Sequence, residues 1–309
     1  MRTAFIRALT DLARQDRRIT LVTGDMGFGV VEKFAQAYPD QFLNVGVAEQ
    51  NMTGVAVGMA LSGRIVFTYS IGNFPTLRCL EQIRNDVCYH EANVKVVTVG
   101  GGFAYGGLGM SHHATEDLAV MRALPNMVVV APGDPVETDA ATRAVAVGRG
   151  PSYLRLGRAG ERAVHLAPLR FELGKAIVVR EGGDLTLIST GGMLERAVRV
   201  AEQLEADGPR VRVLSMHTVK PLDTEAVVRA ARDTAAVVTL EEHSAIGGLG
   251  SAVAEVLAES QIPHVRFRRL ALPSAFATTV GSQDYLRDAY GLSERAILAE
   301  LRGVLATRS

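Results

Sequence analysis

Short apolar runs alternate with helical patterns along the whole chain. Candidate strands fall at 19–24, 64–69, 94–100, 127–132 and 152–156, with helical patterns near 30–38, 48–61, 74–90, 115–123 and 134–147. A second set of strands, at 175–181, 184–190, 210–216, 235–242 and 264–272, alternates with helices near 192–206, 223–232, 247–259 and 293–306. Alternation of this kind predicts an α/β fold in which a parallel sheet is covered by helices on both faces. The stretch 156–174 has no clear period and carries Gly and Pro, which places a boundary near residue 168. The expectation is therefore two domains, 1–168 and a smaller 169–309. Ligands of such sheets bind beyond the carboxyl ends of the strands, so the loops that begin there carry the candidate chemistry.

Composition narrows the classes. A length of 309 residues suits about two domains, and 48% hydrophobic with 21% charged residues is enough for packed cores. Lysine plus arginine equals aspartate plus glutamate at 33 each, so there is no broad basic footprint for nucleic acid. No apolar run reaches the roughly 18 residues of a membrane span. The amphipathic start MRTAFIRALTDLARQ is no signal peptide, and the expected location is the cytoplasm. Cys79 and Cys88 fall in one predicted helix, about 900° apart around its axis, and read as packing residues on opposite sides.

The most informative stretch is FLNVGVAEQNMTG at 42–54. It places Glu49 at the start of a helix rich in small residues, directly after a short apolar strand. Val47, Ala48, Met52, Val55 and Val57 leave the carboxylate little water and few countercharges, a setting that suits a proton donor near neutral pH. A Glu in the first turn of a helix is also favoured by the macrodipole alone. The glycine-rich loop GGGFAYGGLGMSHHATEDL (100–118) permits close backbone approach to a ligand, and its histidines face the strand ends.

GVAEQNM, GMALSGRIVFTYS, FPTLRCLEQIRNDV, GMSHHATEDLAVMRALPNM and EEHSAIGGLG together resemble the transketolase superfamily of thiamin-diphosphate enzymes, in family order from about Thr23 to about Gly250. The resemblance is to the C-terminal half of a transketolase: the pyrimidine-binding domain followed by the C-terminal domain. It implies that Glu49 meets N1′ of the cofactor's aminopyrimidine and moves a proton there. It implies Phe74 as the stacking aromatic, with Tyr69 and Arg78 nearby, and His112 beside the donor hydroxyls with His113 next to it. Arg158, in PSYLRLGR, falls where relatives bind a substrate phosphate; Arg155 reads equally as a surface or a structural residue. Glu241, Glu242 and His243 look like site residues, but the resemblance makes them subunit contacts, and HTVKPLD (217–223) a family turn.

Two departures matter. Leu108 stands where relatives carry an Asp that contacts a substrate hydroxyl, which points to a less hydroxylated or otherwise unusual sugar. The family's Mg²⁺-binding Gly-Asp-Gly and later Asn-Asn pair are absent, and neither GGDL (182–185) nor PGD (132–134) replaces them. The resemblance then implies the C-terminal subunit of a split transketolase. An N-terminal partner subunit supplies the diphosphate domain and Mg²⁺, in an α2β2 assembly that includes self-association of this chain. The expected reaction is transfer of a two-carbon ketol unit from a ketose or ketose phosphate to an aldose. The alternative is the β-subunit of a 2-oxo acid decarboxylating enzyme or a deoxyxylulose-phosphate-synthase-like enzyme.

Overall fold

The computed structural model describes residues 1–166, 169–263 and 265–306, so the boundary expected near Pro168 lies outside the described residues. Six strands of the first half, β1 (Ile19–Thr23), β2 (Phe42–Asn44), β3 (Ile65–Ile71), β4 (Val94–Val99), β5 (Val128–Val130) and β6 (Ser152–Leu156), are mutually parallel. β1, β3, β4 and β6 are buried at every position, as continuous apolar runs in a sheet covered on both faces must be. α1 (Arg2–Gln15) and α6 (Pro135–Val147) cover one face, where Phe5, Leu9, Ala141 and Val145 meet Phe67, Tyr69, Val97 and Leu154. α3 (Glu49–Leu61) and α5 (Asp117–Ala123) cover the other, where Met52, Ala56, Leu118 and Met121 meet Val22, Val66 and Val96. α2 (Glu32–Ala37) lies on the connection into β2.

The helix expected near 74–90 is irregular: a 3₁₀ turn, a short α4 (Leu80–Gln82), then a π-helical stretch over Ile83–Cys88. That widening breaks the 100° spacing, so Cys79 and Cys88 enter the same core instead of opposite sides.

The second sheet has the order β12-β11-β8-β9-β7. Its strands are β7 (Ile177–Arg180), β8 (Leu185–Ser189), β9 (Val211–Ser215), β11 (Ala236–Ser244) and β12 (Arg266–Leu272), with only edge strand β7 antiparallel. α7 (Leu194–Glu205) and α11 (Glu294–Ala306) pack on one face, α8 (Thr224–Asp233) and α9 (Leu249–Glu259) on the other. The sequence pattern did not predict α10 (Gln283–Ala289), which is capped by Ser282.

HTVKPLD is more than a turn. Its β10 (Thr218–Lys220) leaves the second sheet and joins the first, antiparallel to β5, with Thr218 opposite Val130 and Lys220 opposite Val129. The first sheet thus runs β10-β5-β6-β4-β3-β1-β2. Ala131 N–H donates to the His217 carbonyl at 2.7 Å, and the His217 ring stacks on Phe171 from the connecting segment.

Candidate active site

Glu49 is the first residue of α3, reached by a tight loop after β2 in which Gly46 has φ +75. Its side chain is 3% exposed, above the carboxyl ends of β1 and β2. Met52 and Val57 continue into the core as expected, but Val47 points outward and is 75% exposed. The expectation of few countercharges is corrected by Arg78, whose Nη1 donates to Glu49 Oε2 at 2.8 Å. A carboxylate this buried needs such a partner when ionised.

Arg78 also lies over the Phe74 ring, 4.9 Å from its centroid. The His112 ring meets Phe74 edge-on at 5.1 Å, and Tyr105 meets His112 at 6.5 Å. Arg158 is exposed and lies over Tyr105 at 5.2 Å. Glu49, Arg78, Phe74, His112, Tyr105 and Arg158 thus form one continuous chain of contacts. Tyr105 was missed from the sequence; an aromatic inside a glycine-rich loop was the available signal. His112 Nδ1 is 3.0 Å from Ser111 Oγ, and partial burial, with the neighbouring His113, lowers its pKa below the ordinary 6.5.

Two expected members are elsewhere. Tyr69 is 1% exposed and stacks on Phe5 at 5.7 Å, on the face of β3 opposite α3. Side chains alternate along a strand, so the face that takes Phe67 and Ile71 also takes Tyr69. His113 is 3% exposed; its ring packs edge-on against Phe103 at 5.0 Å and its Nε2 faces the Gly106 carbonyl at 3.3 Å. It supports the loop from below, while His112 takes the outer position. Leu108 is 57% exposed at the end of a 3₁₀ turn on the same loop.

Arg155 resolves as structural. It is 5% exposed, with Nε 2.7 Å from Asp117 Oδ2 and Nη2 donating to the carbonyls of Ala114 and Glu242. Glu241, Glu242 and His243 are buried within this chain, which corrects their reading as subunit contacts. Glu241 accepts the N–H groups of Leu249 and Gly250 at the start of α9. His243 Nε2 accepts the Ala119 N–H. Glu242 accepts the Phe103 N–H and is held by Gln283 and Arg287.

A buried carboxylate at a helix start, an aromatic ring beside it and a histidine on a glycine loop thus meet beyond the carboxyl ends of a parallel sheet, where ligands of such sheets bind. The transketolase pyrimidine-binding domain matches residues 1–161 and the transketolase C-terminal domain matches residues 174–297. The chain belongs to the transketolase family, and corresponds to the C-terminal subunit of a split transketolase. It is 40% identical to the 6-deoxy-6-sulfo-D-fructose transketolase subunit of Clostridium sp. (strain MSTE9), over 96% of this chain and 92% of that one. It is 38% identical to one of the subunits of the apulose-4-phosphate transketolase of Phocaeicola vulgatus, over 96% and 94%. The solved structure of a split-gene transketolase in an inactive beta4 tetramer superposes with a TM-score of 0.89 at 40% identity, covering 99% of this chain and 98% of that one.

The residues present fit the pyrimidine end of thiamin diphosphate. A buried acid and a half-buried ring face lie side by side, and the Arg78 guanidinium spans both, the two contacts a flat aminopyrimidine makes. For the diphosphate end, no cluster of three or more His, Cys, Asp or Glu side chains is arranged to hold a metal among the described residues.

Proposed function

We propose that this chain is the catalytic C-terminal subunit of a thiamin-diphosphate-dependent transketolase, active only with an N-terminal subunit that holds the diphosphate and Mg²⁺. The observation that carries the reading is the buried Glu49 at the start of α3, facing Arg78 and Phe74, in a chain matched end to end by split-transketolase subunits. Phe28, 73% exposed, and Val47 give the Glu49 end of the sheet an apolar rim suited to the partner, with the cofactor between the two chains. An α2β2 assembly in the cytoplasm follows the same reading, and the beta4 tetramer of the related structure supports self-association of this chain.

When bound, thiamin diphosphate supplies the nucleophilic carbon that carries the two-carbon unit. The chain's own residues then have distinct tasks. Glu49 holds or releases a proton at the pyrimidine nitrogen from a water-poor position. Phe74 fixes the ring plane. His112, whose pKa burial and the neighbouring His113 lower, accepts or donates a hydrogen bond to a sugar hydroxyl. Arg158 offers an exposed bidentate fork to an anionic group at the far end of the sugar. Leu108 in place of an acceptor favours a donor lacking one hydroxyl or bearing an unusual substituent, and the relatives named for 6-deoxy-6-sulfo-D-fructose and apulose 4-phosphate support this. The alternative as a deoxyxylulose-phosphate-synthase-like enzyme has a 36% identical relative in Heliobacterium modesticaldum, matched over only 44% of its length.

Calorimetry with thiamin diphosphate and Mg²⁺, on the chain alone and with its partner subunit, tests the reading. Binding only with the partner supports a divided site; tight binding by this chain alone overturns it. Pyruvate consumption by the complex without ketose turnover would move the assignment to the alternative.

A further inference from the structure

The loop at 100–118 belongs to the first sheet, yet its base is gripped by the second. Phe103 is 3% exposed and packs in the core of the second half, with its ring 5.4 Å from Tyr290. Its N–H donates to Glu242 Oε1 at 2.8 Å. The same carboxylate accepts from Gln283 Nε2 at 3.1 and 2.9 Å, and from Arg287 Nε and Nη2 at 3.0 and 2.6 Å. Gly102, at φ +64, presses on it so closely that a Cβ there would lie 2.5 Å from Glu242 Cδ. Gly106 meets the Gly281 carbonyl and Leu286 in the same way, leaving no room for a side chain.

These contacts reach His112 in few steps. Phe103 carries the His113 ring, His113 Nε2 faces the Gly106 carbonyl, and the Asn73 amide donates to the His113 carbonyl at 2.5 Å. His112 is the next residue, set against Phe74. The outer part of the loop, Gly107, Leu108, Met110 and Ser111, is exposed.

We infer that Glu242 is a positioning residue for the substrate histidine: from the second sheet it fixes the base of the glycine loop and thereby where His112 stands over Phe74. The inference rests on the function proposed above, and goes beyond it by giving the second half of the chain a task in substrate handling. A fully satisfied buried carboxylate can specify a single arrangement in this way, because each of its four donors becomes costly to lose. In Glu242→Gln one oxygen becomes an amide facing Phe103 N–H or Arg287, so a donor meets a donor whichever way the amide turns.

Amide hydrogen exchange on the full chain tests this without any assumption about activity. Glu242→Gln is expected to raise exchange across 101–114 about tenfold or more, the scale of one charged hydrogen bond. Glu241→Gln, which weakens the start of α9 and the contact with His243 but touches no group at the loop base, should leave that segment unchanged. In the complex, Glu242→Gln should raise the KM for the ketose donor while cofactor affinity, set by Glu49 and Phe74, stays within about twofold. Gln283→Met, on the partly exposed side, should give a smaller change of the same kind even if Glu242→Gln fails to fold. Unchanged exchange at 101–114 in both variants, or an equal rise in Glu241→Gln, overturns the inference. Raised exchange with no ketose turnover by the wild-type complex would instead overturn the proposed function and leave the loop anchor standing.

Discussion

Glu49 and Arg78 form an ion pair of 2.8 Å in which the acid is buried and the base is half exposed. The arrangement is unequal, since Arg78 can leave for solvent and Glu49 cannot. Arg78→Met therefore strands a buried carboxylate, and is expected to lower stability by about 1 kcal/mol after allowing for the exposed guanidinium. Urea unfolding of the chain alone measures it. Glu49→Gln with Arg78 intact should cost less; the reverse order would show that the pair does not protect the carboxylate.

Glu49→Ala should leave the complex with the partner subunit intact while lowering kcat by about 10²–10⁴-fold, the range of a positioned proton-transfer group. Light scattering reports assembly and a coupled ketol-transfer assay reports turnover. Retained activity would remove Glu49 from the mechanism.

Leu108 is exposed, so Leu108→Asp should change stability by no more than about 0.5 kcal/mol. Its expected effect is on selectivity: kcat/KM for fully hydroxylated ketose phosphates should rise about tenfold relative to the wild type, the worth of one matched polar contact. An unchanged substrate profile would show that the loop does not read that hydroxyl.

Lys95, on β4, is fully buried, and its Nζ donates to the carbonyls of Gly148 and Gly150. Burial pushes its pKa down to about 7 from the 10.5 of an unfolded lysine. Between these values the unfolded chain holds a proton that the folded chain lacks, so stability rises with pH across that window, by at most about 1.4 kcal/mol per pH unit from this group. Lys95→Met should flatten the rise. Equal slopes for wild type and variant between pH 7 and 9 would refute the assignment.

The strands and most helices were legible because long apolar runs and amphipathic repeats report burial directly. Glu49 was legible for the same reason: it interrupts a stretch where nothing else is charged. Arg78 beside it could be seen as near, but not as its ion-pair partner, because the 3₁₀ turn that carries it sets its direction. Tyr69 was misplaced because sequence gives the strand but not which face a residue near its end takes. Glu242 was unreadable in a deeper sense. Its donor at Phe103 lies 139 residues away, and a carboxylate in a strand looks the same whether it meets substrate, another chain or its own.

β10 was too short to stand out as a strand, and it changes what counts as a module here. Although the family's two domains follow one another in sequence, the first sheet is finished by a strand encoded after β9. A fragment cut at the connecting segment would expose β5 as a bare parallel edge, with unpaired N–H and C=O groups open to other chains. Recombining halves between relatives must therefore carry 217–220 with the first sheet or preserve its pairing with β5. In this chain the unit of inheritance is the interleaved pair.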